Sequence, residues 1–296
     1  MSILSGSKTI TGILFAVLCS LGLGLAVALG PMTFEGGTTP LAVALFRALF
    51  SVFFMAGLCI LMGISLRLSW PMCLNMLILG ALFSHMAFGN IGSTKYIPIS
   101  LAALLFFIYP PLVTLINAVI NKKYPGLIKL IAIGITFSGL GVMLGIGFEQ
   151  FDYRGIIIGL TAGIACAINI VWVNRRVKNV HPFVIVFYQS IIAAVIILVL
   201  AIELEELRFP ENRVGWWGFA LIILLQSCSI PLFYFSIQRI GPESTGLFNN
   251  LQPVASIVAA VVIFNEILTG ERLVGAFMVL LGIIIVQLLE YKRIRH

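Results

Sequence analysis

Ten apolar stretches, each about twenty residues long, take up nearly the whole of this 296-residue chain. A helix rises 1.5 Å per residue, so ~20 predominantly apolar residues cross the ~30 Å hydrocarbon layer of a bilayer. The predicted spans are 8–30, 38–64, 71–91, 99–120, 126–148, 154–174, 182–202, 214–237, 243–265 and 271–290. Sixty per cent of the residues are hydrophobic, 10% are charged and the mean hydropathy is +1.13. A soluble domain carries about a quarter charged residues, so that class is excluded. The expected fold is an all-α integral membrane protein with ten transmembrane helices.

The connectors orient these helices. With the N-terminus inside, the inner segments hold Lys8, Arg67, Lys122, Lys123, Arg175, Arg176, Lys178, Arg239, Lys292, Arg293 and Arg295, against Lys95, Arg154, Arg208, Arg213 and Arg272 outside. Cytoplasmic loops carry the excess of Lys and Arg, so both termini are expected in the cytoplasm. Of the acids, only Glu243 and Glu290 fall inside, while Glu35, Glu149, Asp152 and six others fall outside. The net charge of +7 is thus a matter of topology, and nucleic acid needs no part in it. The first stretch reaches full spanning length and more spans follow, so it is expected to stay as helix 1. Cys19, Cys59, Cys73, Cys166 and Cys228 lie in or at the edges of spans without metal-ligand spacing, and are expected as small packing residues.

An offset of 143 residues aligns the two halves without a gap over 93–141 and 236–284. It places Ser93 on Ser236, Pro110 on Pro253 and Gly139 on Gly282. The same offset puts Gly12 on Gly155. Small residues then recur every fourth position in both helices, as Gly12, Ala16, Ser20 and as Gly155, Gly159, Gly163. Such a stripe on one face lets two backbones approach closely in lipid. Five spans per half is an odd number, so the second half enters the membrane the other way up. The expected organisation is two inverted five-helix repeats, 8–148 and 154–290. Inverted repeats are typical of secondary transporters that bind solute near the midplane and alternate access.

The run Asn250 to Val286, with Pro253, Glu266, Leu268, Thr269, Gly275 and Gly282, resembles the closing part of an EamA repeat of the drug/metabolite transporter superfamily. Pro40 seven residues before Arg47 fits the second helix of such a repeat. The resemblance implies ten spans in two repeats and a transporter of small polar metabolites in the inner membrane. Export of amino acids or related compounds is its leading case. The first repeat departs from the pattern, with Asn121, Lys122 and Lys123 where Glu266 ends the ninth helix.

Ionisable and amide groups are costly in hydrocarbon, so those within spans mark expected solute contacts. The offset pairs Phe83, Ser84 and His85 of the third span with Gln226, Ser227 and Cys228 of the eighth, two polar clusters at one depth. Arg47 offers a bidentate fork for a carboxylate, with a snorkelling brace as the competing role. Tyr109 precedes Pro110 and Pro111, and Asn249, Asn250 and Gln252 stand at the equivalent turn before Pro253. Proline frees carbonyls and kinks both helices there. Asn169, Trp172, Tyr188 and Gln189 form a further tier. His85 is the one central residue able to relay protons, so proton coupling stands beside exchange and facilitated diffusion. Neither a phosphate-binding Gly-x-x-x-x-Gly-Lys loop nor a metal-binding histidine pair is present. An intramembrane enzyme is the alternative class, and no Gly-x-Ser-x-Gly supports one. The expectation is a transporter without cofactor or metal, as a monomer or homodimer, in contact with lipid and a small solute.

Overall fold

Helix starts follow local chemistry. Thr39, in extended conformation, accepts a hydrogen bond from the Ala42 N–H at 3.3 Å, and Pro40 takes the first helical position, where a missing N–H is no loss. His181 Nδ1 accepts from Phe183 N–H at 3.2 Å ahead of Pro182. Asp152 and Asn212 cap two further helices through Arg154 N–H at 2.9 Å and Gly215 N–H at 2.7 Å.

A computed structural model describes residues 2–145 and 152–295. The predicted end of the fifth span at 148, Glu149 and His296 lie outside the described residues, as do the side chains of Glu243, Glu290, Lys292, Arg293 and Arg295. The helices are α1 (Ser2–Ala28), α2 (Gly30–Phe34), α3 (Pro40–Leu61), α4 (Trp70–Gly92), α5 (Ile99–Phe106), α6 (Tyr109–Asn121), α7 (Leu127–Gly145), α8 (Tyr153–Arg176), α9 (Pro182–Glu203), α10 (Arg213–Asn249), α11 (Leu251–Phe264) and α12 (Gly270–Arg295). Among the described residues nine helical spans are long and apolar enough to cross a membrane, and Leu127–Met143 adds a shorter apolar helix. The protein is an all-α membrane protein. Its surface has the matching polarity. Leu14, Phe53, Leu77, Val199, Val262 and Phe277 point outward and are exposed, whereas Ser20, Thr136, Ser227 and Ser256 are fully buried. In water those outer faces would be a liability; in lipid they meet their own kind.

Several breaks recur at the 143-residue offset. The fourth span is interrupted at Phe107 and Ile108, between α5 and α6, and the ninth at Asn250, between α10 and α11. Both breaks sit one turn or less ahead of the matched Pro110 and Pro253, whose missing N–H cannot continue the ladder. The helices that follow end in left-handed residues at equivalent places, Lys122 (φ 50°) and Asn265 (φ 52°). The predicted connector between the eighth and ninth spans shrinks to one residue. Gly241, at φ 82° and ψ 160°, turns the chain sharply within α10, in a region that only glycine enters readily. Ser236 and Thr245 bridge this turn, their hydroxyl oxygens 2.9 Å apart.

Packing follows the small-residue stripes. α1 lies against α10 and α11, α8 against α4, α5 and α6, α3 against α9, and α7 against α12. A Cβ added at Gly12 would stand 2.6 Å from Ile240 Cγ2 and 2.8 Å from Arg239 Cβ. At Gly155 it would stand 2.8 Å from both Ile97 Cγ2 and Tyr96 Cβ. These neighbours are themselves related by the offset of 143. α5 is wholly enclosed, every residue from Ile99 to Phe106 being buried. At its start the Glu266 carboxylate, just beyond α11, accepts from the Ser100 N–H at 3.3 Å and from the Ser100 hydroxyl. The five cysteines are free thiols, with Cys19, Cys59 and Cys166 buried.

Candidate solute-binding cavity

The interior polar residues converge on one cavity of about 240 Å³. Arg47 and Ser51 of α3, Asn90 of α4, Tyr109 of α6, Asn169 of α8, Gln189 of α9, Gln226 and Asn249 of α10 and Gln252 of α11 line it. Aromatic and aliphatic walls complete the enclosure, among them Phe83, Met86, Phe106, Phe233 and Tyr234. Ligand sites commonly combine apolar walls with a few placed polar groups in ~300–1,000 Å³. Just below that range, this cavity suits a metabolite of few atoms. A second recess of about 420 Å³ sits around Thr114, Asn117, Asn121 and Lys123. It is formed at the α6–α7 turn with a single residue from α12, so it lacks contributions from the rest of the bundle.

The broken helices supply one hydrogen-bonded corner of the cavity. Asn249 ends α10 at the break, where its Nδ2 donates to Tyr109 Oη at 3.2 Å. Its Oδ1 lies 3.4 Å from Ser20 Oγ of α1, a hydroxyl that donates to Ala16 O at 2.8 Å and also approaches Phe248 O at 3.1 Å. One amide thereby joins α1, α6 and α10. Opposite, Gln189 Nε2 approaches Asn169 Oδ1 at 3.5 Å while Asn169 Nδ2 donates to Leu79 O at 3.3 Å. These bonds satisfy groups that would be expensive to bury alone.

Arg47 differs from its neighbours. It is 7% exposed, so the guanidinium does not reach an aqueous interface, and Nη1 is sealed and without a hydrogen-bond partner. Asn90 Oδ1, on the same cavity, is likewise sealed and unpartnered.

Of the residues singled out from sequence, Arg47, Tyr109, Asn169, Gln226, Asn249 and Gln252 line this cavity. Four do not. His85 Nε2 lies 2.9 Å from Thr161 Oγ1. Thr161 gives its own proton to Ile157 O at 2.7 Å, so its oxygen is free to accept from the imidazole N–H, tying α4 to α8. Asn250 Nδ2 turns to α12, donating to Gln287 Oε1 at 2.9 Å. Ser227 pairs with Ser51 at 3.1 Å behind the cavity wall. Trp172 Nε1 donates to Asn75 Oδ1 at 3.0 Å, joining α8 to the first turns of α4. Tyr188 donates to Leu66 O at 2.8 Å, away from the cavity.

Asn90 was not singled out, although helical spacing carries the signal. Phe83, Met86, Ala87 and Asn90 all line the cavity and repeat at i, i+3, i+4 and i+7. Five residues separate His85 from Asn90, about 140° around a helix of 3.6 residues per turn, so the two cannot share that face.

Comparison with known proteins agrees with this architecture. Residues 153–288 match the EamA-like transporter family. An uncharacterized transporter of Synechocystis sp. is 25% identical over 209 residues, covering 68% of this chain and 62% of that protein. The uncharacterized inner membrane transporter YhbE of Escherichia coli is 30% identical over 135 residues, covering 44% of this chain and 41% of YhbE. The uncharacterized transporter YyaM of Bacillus subtilis is 24% identical over 192 residues, 62% of each chain. The chain thus spans less than two thirds of the length of these curated relatives. A solved crystal structure superposes over 96% of this chain and 98% of its own with a TM-score of 0.63 at 19% identity, a likeness of fold. Residues 153–288 are thus an EamA-like transporter segment, and the chain's likeness to EamA-type transporters rests on that segment and on these relatives.

Proposed function

We propose that this protein is a secondary active or facilitative transporter that moves small polar metabolites across the inner membrane by alternating access. The observation that carries the reading is the polar cavity itself, built from both halves of the chain and flanked by breaks at Phe107 and Asn250. A membrane protein has little reason to gather an arginine and several amides at its centre unless a polar solute is to displace water there. The recurrence of breaks, left-handed ends and glycine contacts at one offset supports two inverted repeats, 8–148 and 154–290, rocking about the cavity. Both termini face the cytoplasm in this reading, as the basic connectors suggest.

Amino acids and related compounds form the proposed substrate class and export the proposed direction, on the family likeness. The cycle is proton-coupled transport, exchange or facilitated diffusion; among the described residues the cavity is lined by no carboxylate or histidine, and His85 bonds Thr161 outside it, so a coupled proton would travel apart from the solute. The protein acts as a monomer or homodimer. Purified protein reconstituted into liposomes, loaded with a labelled amino-acid and metabolite mixture, should release some members faster than protein-free liposomes. Equal release of every member would refute transport.

A further inference from the structure

The cavity contains one fixed positive charge and nothing on its lining that answers it. Arg47 keeps its proton under any physiological condition, and no Asp or Glu is among the residues around the cavity. The other polar groups on the wall largely satisfy one another: Asn249 with Tyr109 and Ser20, Gln189 with Asn169. Two sealed atoms on this wall have no partner, Arg47 Nη1, a donor, and Asn90 Oδ1, an acceptor. Buried polar atoms without partners are rare, and each calls for a reason. A ligand that brings an anionic acceptor and a hydrogen-bond donor would satisfy both once the two side chains turn to meet it.

The charge balance narrows the ligand. A zwitterion would leave the loaded cavity as positive as the empty one, and would place an ammonium group within the field of Arg47 with no carboxylate to receive it. A monoanion would instead neutralise the guanidinium in a low-dielectric interior, where an uncompensated charge is costly. We infer that the cavity takes a small monocarboxylate whose neighbouring polar group is an uncharged donor, a hydroxyl or amide N–H, with the carboxylate on Arg47, the donor on Asn90 and the apolar remainder against Phe106 and Phe233. This inference rests on the transporter reading and narrows its substrate class within the compounds related to amino acids.

Three probes with one carbon skeleton test it: 2-hydroxyisocaproate, leucine and 2-hydroxyisocaproamide, respectively an anion, a zwitterion and a neutral molecule near pH 7. Their affinities for the full-length protein in detergent would be measured by titration calorimetry, and their exchange followed in liposomes. The hydroxy acid should bind about tenfold or more tightly than either relative, the scale of one charge-assisted hydrogen bond. In Arg47→Gln its advantage over the amide should vanish. Leucine binding as well as the hydroxy acid would overturn the choice of a monoanion. An amide as good as the acid, an advantage that persists in Arg47→Gln, or no binding of any probe would overturn the anchoring role of Arg47. Should Arg47→Gln not fold, the wild-type ranking alone decides. Flux of other metabolites despite failure here would leave the transporter reading standing; no flux of any metabolite would end that reading too.

Discussion

Replacing Gly12 or Gly155 by alanine tests whether the two stripes are packing seams, and the size of the effect follows from the contacts. Carbon atoms in good contact lie ~3.5–4.0 Å apart, whereas the new methyl at Gly12 would meet Ile240 Cγ2 at 2.6 Å and Arg239 Cβ at 2.8 Å. At Gly155 the nearest distances, to Ile97 Cγ2 and Tyr96 Cβ, are 2.8 Å. A Cβ atom is fixed by its backbone, so no rotamer change clears it. The helices must part by most of an ångström, and overpacking of this kind costs ~1–3 kcal/mol. Alanine recovers about 1 kcal/mol of helix propensity relative to glycine, which reduces the net loss. Gly134, in α7, supplies the control, because an added Cβ there meets nothing within 4 Å. Unfolding of the three variants in a denaturing-detergent titration should therefore rank Gly134→Ala above wild type and both stripe variants below Gly134→Ala by about 1–3 kcal/mol. If Gly12→Ala and Gly155→Ala unfold together with Gly134→Ala, close backbone approach is not what these glycines provide.

Other outcomes follow from the same structure. Gly241→Ala, forced to φ 82°, should lose about 1–3 kcal/mol in the same titration, while Gly246→Ala, with open space around its Cβ, should not. Tyr109→Phe leaves Asn249 Nδ2 without its acceptor and should cost about 1 kcal/mol; Asn249→Ala leaves the Tyr109 hydroxyl without its amide partner, while Ser20 keeps Ala16 O at 2.8 Å, and should cost at least as much and slow solute exchange in liposomes. The Arg154 side chain and N–H hold the Asp152 carboxyl below its ordinary range. Because the folded value is the lower one, any stability from the pair is present at neutral pH and lost as pH falls below the usual carboxylate range. Asp152→Asn should then differ from wild type in thermal unfolding at pH 7 and converge with it in strong acid; an unchanged gap at low pH would exclude the ion pair as the cause.

The helices themselves were legible because spanning length and apolar runs leave few alternatives, and predicted and observed ends mostly agree within a few residues. The offset of 143 also carried more than its few identities promised. It relates Phe107 to Asn250 and Lys122 to Asn265, where backbone geometry repeats although side chains do not. Inside the bundle, residue type alone was a poor guide. His85 was marked for its chemistry, but its direction depends on the rotation of α4, and a shift of two residues moves a side chain across the helix. Asn249 and Asn250 are neighbours in sequence, yet the first faces the cavity and the second faces Gln287, as successive side chains point about 100° apart around a helix. The compression of a connector to Gly241 escaped notice because a span boundary read from hydropathy cannot distinguish a loop from a single sharp turn.

Glu266 gives the two ends of the molecule unequal thresholds for opening. Where its carboxylate holds the first turn of α5, separating α11 from α5 would expose a carboxylate and an N–H that presently satisfy each other. The position equivalent to Glu266 at the other end is Lys123, which no longer offers an acceptor. Under the proposed rocking motion the two gates would then release at different costs, and a carrier so built would rest with one side preferentially shut. Such a bias sets which face waits for solute without adding any driving force, so net movement still follows the gradient supplied.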